Sequence, residues 1–141
     1  MQTNNIAALH PDLQTRCVEF QRRLSANLGS DYLVIITSTY RDNEAQAALY
    51  ASGRGEPGVI LTRNKPGASA HNATRACAGE IASASRAFDF MVFWHGKPCA
   101  EYGREYAAAG VIAAELGLLW GGRSAAKNRE PGHVELPDGW Q

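Results

Sequence analysis

The sequence predicts an α+β fold: a small, mainly antiparallel sheet with two long helices packed on one side. Three observations carry that prediction. Apolar residues recur at helical spacing in two stretches, one ending at Leu28 and one running from Glu101 to Leu116. Tyr32–Thr37 and Arg86–Trp94 have the apolar content of strands. A last short strand is expected at His133–Leu136.

In the first helix Leu13, Cys17, Phe20, Leu24 and Leu28 form the apolar stripe, with Arg16, Glu19, Arg22 and Arg23 opposite. Pro11 suits its first turn and Gly29 its end. Tyr32-Leu33-Val34-Ile35-Ile36-Thr37 is β-branched and almost continuously apolar, the pattern of a buried central strand. Ser38–Asp42 is a polar turn rich in helix-capping residues, and a short helix is expected from Asn43 to Ser52, stopped by Gly53. Residues 53–70 are a loop rich in Gly and Pro, with a short extended piece at Val59-Ile60-Leu61.

From Asn72 to Ser85 the chain is small and polar, and a short helix and an ordered loop fit equally well. Between Arg86 and Trp94, Phe88, Phe90, Val92 and Trp94 alternate with Ala87, Asp89, Met91 and Phe93. That is a strand covered on both faces, with Asp89 its lone carboxylate. His95-Gly96-Lys97-Pro98 turns the chain. The second long helix is expected to bury Tyr102, Tyr106, Ala109, Ile112 and Leu116 and to end at Gly117. A polar loop through Arg129 then leads to the final strand, with His133 and Glu135 on one face.

At 141 residues, without repeats or linkers, the chain reads as one domain, residues 1–141. Fourteen basic residues balance fourteen acidic ones, which gives no support to a nucleic-acid partner or a polybasic membrane surface. No apolar run reaches the ~20 residues that span a bilayer, so no membrane insertion is expected. Met1-Gln2-Thr3-Asn4-Asn5 lacks the basic start of a secretory signal, and synthesis in the cytoplasm is expected. Cys17, Cys77 and Cys99 form no CxxC pair, and three free thiols are favoured over a Cys77–Cys99 bridge.

His71, Asp89 and His133 match in number and kind the three protein ligands of a catalytic zinc, which leaves a fourth position open. A metal so held makes hydroxide available near neutral pH. Peptide hydrolysis also needs a base for the water and an acid for the leaving amine. Glu130 is the candidate, turned inward by Pro131-Gly132 just ahead of His133. On residue types and spacing alone a plainer reading weighs the same. In it His71 is a loop histidine, Asp89 a hydrogen-bonded strand carboxylate and His133 a satisfied edge residue.

Ser69-x-His71, followed by Ala87-x-Asp89 at the start of a strand, resembles a known signature, Ser-x-His…Gly-x-Ala-x-Asp. It belongs to the zinc peptidases related to D-Ala-D-Ala metallopeptidases and the Sonic hedgehog N-domain. Gly117-Leu118-x-Trp120-Gly121-Gly122 and Glu130-x-x-His133-Val134-Glu135 resemble the second half of that pattern. The likeness covers about residues 32–136 and is greatest to single-domain bacteriophage endolysins that cut peptidoglycan stems.

The resemblance implies a hedgehog-like fold and one zinc ion per chain on His71, Asp89 and His133, with Glu130 as catalytic acid and base. It also implies a substrate cleft lined by Arg41 and Gln46, where an arginine can hold a carboxylate or carbonyl in bidentate fashion. Ser69 would bind substrate or fix its loop. Glu135 would orient a ligand or be a plain surface carboxylate, and Trp120 would wall the cleft or pack the core. Two departures stand out. His71 and Asp89 are eighteen positions apart, longer than the family's usual span, and Ser85 stands at the signature's glycine. An insertion from Asn72 to about Ser83, looped out beside the metal, accounts for both. His10 and His95 are the other imidazoles; the Gly/Pro turn around His95 sets it apart from the ligands.

The function so implied is zinc-dependent hydrolysis of the L-Ala–D-Glu bond of the peptidoglycan stem. The protein would be a monomer without a separate wall-binding domain, made in the host cytoplasm and acting on the wall after release. Two alternatives share the site: a D-Ala-D-Ala carboxypeptidase, and a zinc-containing wall-binding module without turnover.

Overall fold

The computed structural model describes residues 2–62, 64–65, 69–72, 74–77, 80–83, 85–123 and 129–137, with backbone alone for 74–77 and 80–83. Helix α1 spans Pro11–Leu28, with Pro11 in its first turn. His10 caps it, its Nδ1 accepting from Asp12 N at 3.1 Å, and Gly29 closes it in the left-handed region at φ 99°. Helix α2 spans Asn43–Ala51, capped by the Asp42 carboxylate on Ala45 N at 2.8 Å. Helix α3 spans Arg104–Glu115.

The strands are β1 (Tyr32–Ser38), β2 (Thr74–Cys77), β3 (Glu80–Ser83), β4 (Ala87–Trp94), β5 (Lys97–Pro98), β6 (Leu119–Trp120) and β7 (His133–Glu135). The main sheet runs β1-β4-β7-β6, with β5 on the far end of β4, and every pairing is antiparallel. Leu13, Cys17, Phe20 and Leu24 of α1 join Tyr106, Ala109, Ile112 and Ala113 of α3 over Val34, Ile36, Phe88, Phe90, Val92 and Val134. Phe20 meets Phe88 and Phe90 edge-on at 5.3 and 5.0 Å, and Phe90 stacks on Tyr106 at 5.4 Å. Removing such a ring from a packed core costs about 3–5 kcal/mol. The fold is therefore the predicted class, a small antiparallel sheet with two long helices on one side. No helix among the described residues is long and apolar enough to cross a membrane.

Several elements differ from their sequence patterns. β1 is an edge strand, not a central one: among the described residues its only strand partner is β4, whose other flank is taken by β7. Its outer face is open, with Leu33 57% and Ile35 36% exposed. β4 is fully covered on one face and only partly on the other, where Ala87 is buried, Asp89 and Phe93 are half-buried and Met91 is exposed. Tyr102 lies outside the buried stripe, 69% exposed, since the helix begins after the Gly103 cap and Tyr102 stands in the preceding turn. Val59, Ile60 and Leu61 form no strand and are exposed.

The stretch after His71 is neither helix nor plain loop. It is a hairpin, β2 on β3, paired from Thr74↔Ser83 to Cys77↔Glu80. Its base is closed by Arg86 N donating to Ala70 O at 3.1 Å, so the chain leaves and returns at one point. Ser85 is fully buried there; its N donates to Ala8 O at 3.0 Å and its O accepts from His10 N at 2.8 Å. Cys17 and Cys99 are free thiols, and a Cys77 pairing falls on a side chain outside the described residues.

Candidate metal centre

The open face of the sheet carries the site. Asp89 of β4 pairs with His133 of β7, so both side chains leave the sheet on the side away from α1 and α3. His71 arrives from a single 3-10 turn, Ala70–Asn72, that Ser69 starts by accepting from His71 N at 3.2 Å. A bulge in β1, where Thr37 and Ser38 oppose Asp89, bends the chain toward this turn. There Thr39 O accepts from His71 Nδ1 at 2.6 Å.

That bond places the proton of His71 on Nδ1 and leaves Nε2 with its lone pair facing Asp89 Oδ1, 3.2 Å away. His133 is arranged with the nitrogens reversed: Nε2 lies 3.1 Å from Glu135 Oε1, and Nδ1 lies 3.0 Å from Asp89 Oδ1. The three ligand atoms lie within 4.8 Å of one another, and the group could hold a metal ion. A tetrahedral ion with bonds of ~2.0 Å needs ligand atoms roughly 3.3 Å apart. The two imidazole-to-carboxylate distances meet that requirement. Two neutral imidazoles and one carboxylate, each imidazole oriented by an outer acceptor, are a donor set that fits a divalent cation.

The electrostatics point the same way. Burial opposes charge on His133, yet hydrogen bonds to Asp89 and Glu135 outweigh it and raise the imidazole to about 10. Burial would likewise raise Asp89, but hydrogen bonds from His133 and His71 hold it well below the usual carboxylate range. Glu135 is also lowered by His133 against its own burial. The centre thus attracts positive charge, and a bound cation would displace the proton from His133.

A cleft of about 450 Å³ opens over the triad, with Arg41, Ser69 and Glu130 among its walls. Glu130 is exposed and its Oε2 stands 3.7 Å from His133 Nδ1. Its loop is fixed on both sides: Glu130 N donates to Gly121 O at 3.2 Å and His133 N to Glu130 O at 3.0 Å. Only a glycine fits at 121, where a Cβ would collide with Glu130 O. Trp120 stiffens the same loop by donating from Nε1 to Pro131 O at 2.7 Å.

Arg41 is buried. It donates to Gln46 Oε1 at 2.6 Å and lies 4.0 Å from Asp89 Oδ2, while its Nε has no partner among the described residues. Burial works against its charge, and Asp89 and Glu130 work for it. Gln46 stands behind the cleft wall, fully buried, and donates to Asn64 O at 2.6 Å. Among the described residues it braces Arg41 and does not line the cleft. No known family model matches the chain, and no curated protein matches it.

All three predicted ligands, Glu130, Arg41 and Ser69 meet at this cleft. Sequence reasoning missed four contributors. The Thr39 carbonyl is backbone and leaves no residue signature. Asn72 holds the Arg41 segment by donating to Arg41 O at 2.6 Å; it was read only as the start of an insertion. Glu101 and Arg129 line the cleft from a turn and a loop with no pattern to single them out. His10 and His95 lie apart from the triad, one capping α1 and the other 3.7 Å from Asp31.

Proposed function

We propose that this chain is a zinc peptidase of the peptidoglycan stem, with a fold and site akin to those of the D-Ala-D-Ala metallopeptidases and hedgehog-like endolysins. The observation that carries the reading is the triad itself. Two imidazoles are held by outer acceptors so that their free nitrogens converge on Asp89 Oδ1, and a carboxylate stands 3.7 Å from one of those nitrogens. The motif resemblance over about residues 32–136 supports the substrate class.

One zinc ion per chain on His71 Nε2, Asp89 Oδ1 and His133 Nδ1 would supply Lewis acidity at the scissile carbonyl and a water acidic enough to react near neutral pH. Glu130 takes the proton from the attacking water and returns it to the departing amine. Arg41 places a fixed positive charge on the cleft wall, where it holds a carbonyl or carboxylate of the substrate. Ser69 keeps His71 in its turn. The L-Ala–D-Glu bond is favoured over a terminal D-Ala bond, because the motif resemblance is greatest to endolysins of that specificity. The chain would act as a monomer on the cell wall after synthesis in the host cytoplasm.

The test is digestion of purified cell walls with the zinc-loaded protein, followed by mass spectrometry. New amino termini on D-Glu are expected; release of free D-Ala instead would identify the carboxypeptidase. Glu130→Ala is expected to lose at least ~10²-fold in rate while keeping about one zinc per chain. His71→Ala is expected to lose both. Walls that yield no new termini with the wild type would end the hydrolase reading and leave the binding module.

A further inference from the structure

A smaller pocket of about 120 Å³ adjoins the cleft. Glu101, Arg129 and Pro131 line both spaces, so the two share a wall. The side pocket has a rigid apolar side. Trp120 is slotted between Gly110 and Gly122, where a Cβ at either would collide with the indole, and it is tied to Pro131 O at 2.7 Å. The Tyr102 ring lines the same pocket, with the Arg129 guanidinium 5.7 Å from the ring centre. One carboxylate and one guanidinium, both exposed, therefore stand where cleft and pocket meet.

We propose that this pocket is a subsite for an amino-acid-like end group, a carbon that carries both an ammonium and a carboxylate, on the leaving-group side of the scissile bond. The inference rests on the peptidoglycan-peptidase reading and names its substrate. Glu130 hands its proton to the leaving amine, and its chain neighbours Arg129 and Pro131 are shared with the side pocket. The substrate beyond the cut bond therefore runs toward that pocket. After an L-Ala–D-Glu bond, the segment that runs there includes the third stem residue. In a diaminopimelate-type stem that side chain ends in a free amine and a free carboxylate; in a lysine-type stem it ends in an amine alone. Glu101 pairs with the ammonium, and Arg129 takes the carboxylate in the bidentate geometry that suits a guanidinium. A lysine stem leaves Arg129 without its partner, and discrimination follows from that loss.

The experiment compares two N-blocked tripeptides, L-Ala–D-Glu–diaminopimelate and L-Ala–D-Glu–L-Lys, as substrates of the zinc-loaded full chain. The wild type is expected to favour the diaminopimelate peptide by about tenfold or more in kcat/KM, and Arg129→Ala to bring the ratio to within about twofold, whereas Glu101→Gln, facing the amine that both peptides carry, lowers both values and leaves the ratio. Equal kcat/KM values with the wild type would overturn the subsite and leave the peptidase reading standing. If neither peptide is cut, the peptidase reading fails, and calorimetric titration of the same two peptides decides the subsite. Tighter binding of the diaminopimelate peptide that Arg129→Ala abolishes upholds it; equal or absent binding overturns it.

Discussion

His133 is gripped at both nitrogens, Asp89 on one side and Glu135 on the other, and it has little freedom to turn. An outer carboxylate of this kind sets the tautomer and raises ligand basicity, effects worth about 10–100-fold in metal affinity. Glu135→Ala is therefore expected to weaken zinc binding by that factor, read by competition with a chromophoric chelator. An unchanged affinity would reduce Glu135 to a bystander. At this scale the members of the triad were legible, because the chain has only four histidines and Asp89 is the lone carboxylate of its strand. The tautomers were not. His71 is oriented by the carbonyl of Thr39, and a backbone group has no letter in a sequence. Arg41 was legible as a cleft residue but not as a buried one, since its burial depends on Gln46 and Asn72 folding over it.

Among the elements, the hairpin of β2 and β3 accounts for the long interval between His71 and Asp89. Because Ala70 O and Arg86 N are bonded at its base, the excursion adds chain without moving His71 from Asp89. Replacing residues 74–83 by a short Gly-Ser turn is expected to leave zinc content near one per chain, checked by elemental analysis. Loss of the metal would show that the hairpin supports the ligands after all. The long interval stood out only against the pattern that the motifs resemble. Its form was not legible, because a run of Ala and Ser carries neither the period of a helix nor that of a strand. β1 repeats the lesson with the opposite sign. Its apolar run announced a strand, but whether a strand is central or at an edge is settled by a distant segment, here β7, that local pattern cannot sense.

For the molecule as a whole, stability rests on a core that excludes charge. Cys17 is fully buried beneath the sheet, and burial pushes its thiol up to about 12; burial raises the Tyr106 phenol as well. The native state keeps the thiol protonated, whereas the unfolded chain releases that proton above about pH 8.5. The contribution is therefore complete below that pH and is lost as pH rises, by up to about tenfold in the folded-to-unfolded ratio per pH unit. Denaturant midpoints of the zinc-loaded protein are expected to fall between about pH 8.5 and 10.5, and Cys17→Ala to flatten that slope. Equal slopes in the two proteins would place the alkaline transition elsewhere. The sheet order also bears on how the protein is made. β7 fills the place between β4 and β6, and it carries His133 of the candidate triad, with Glu130 three residues ahead of it. A nascent chain that has not yet released residue 133 from the ribosome has a gap in its sheet and two of the three residues of the candidate triad. Closure of the sheet and completion of the candidate triad are thus one event, set by the same late segment.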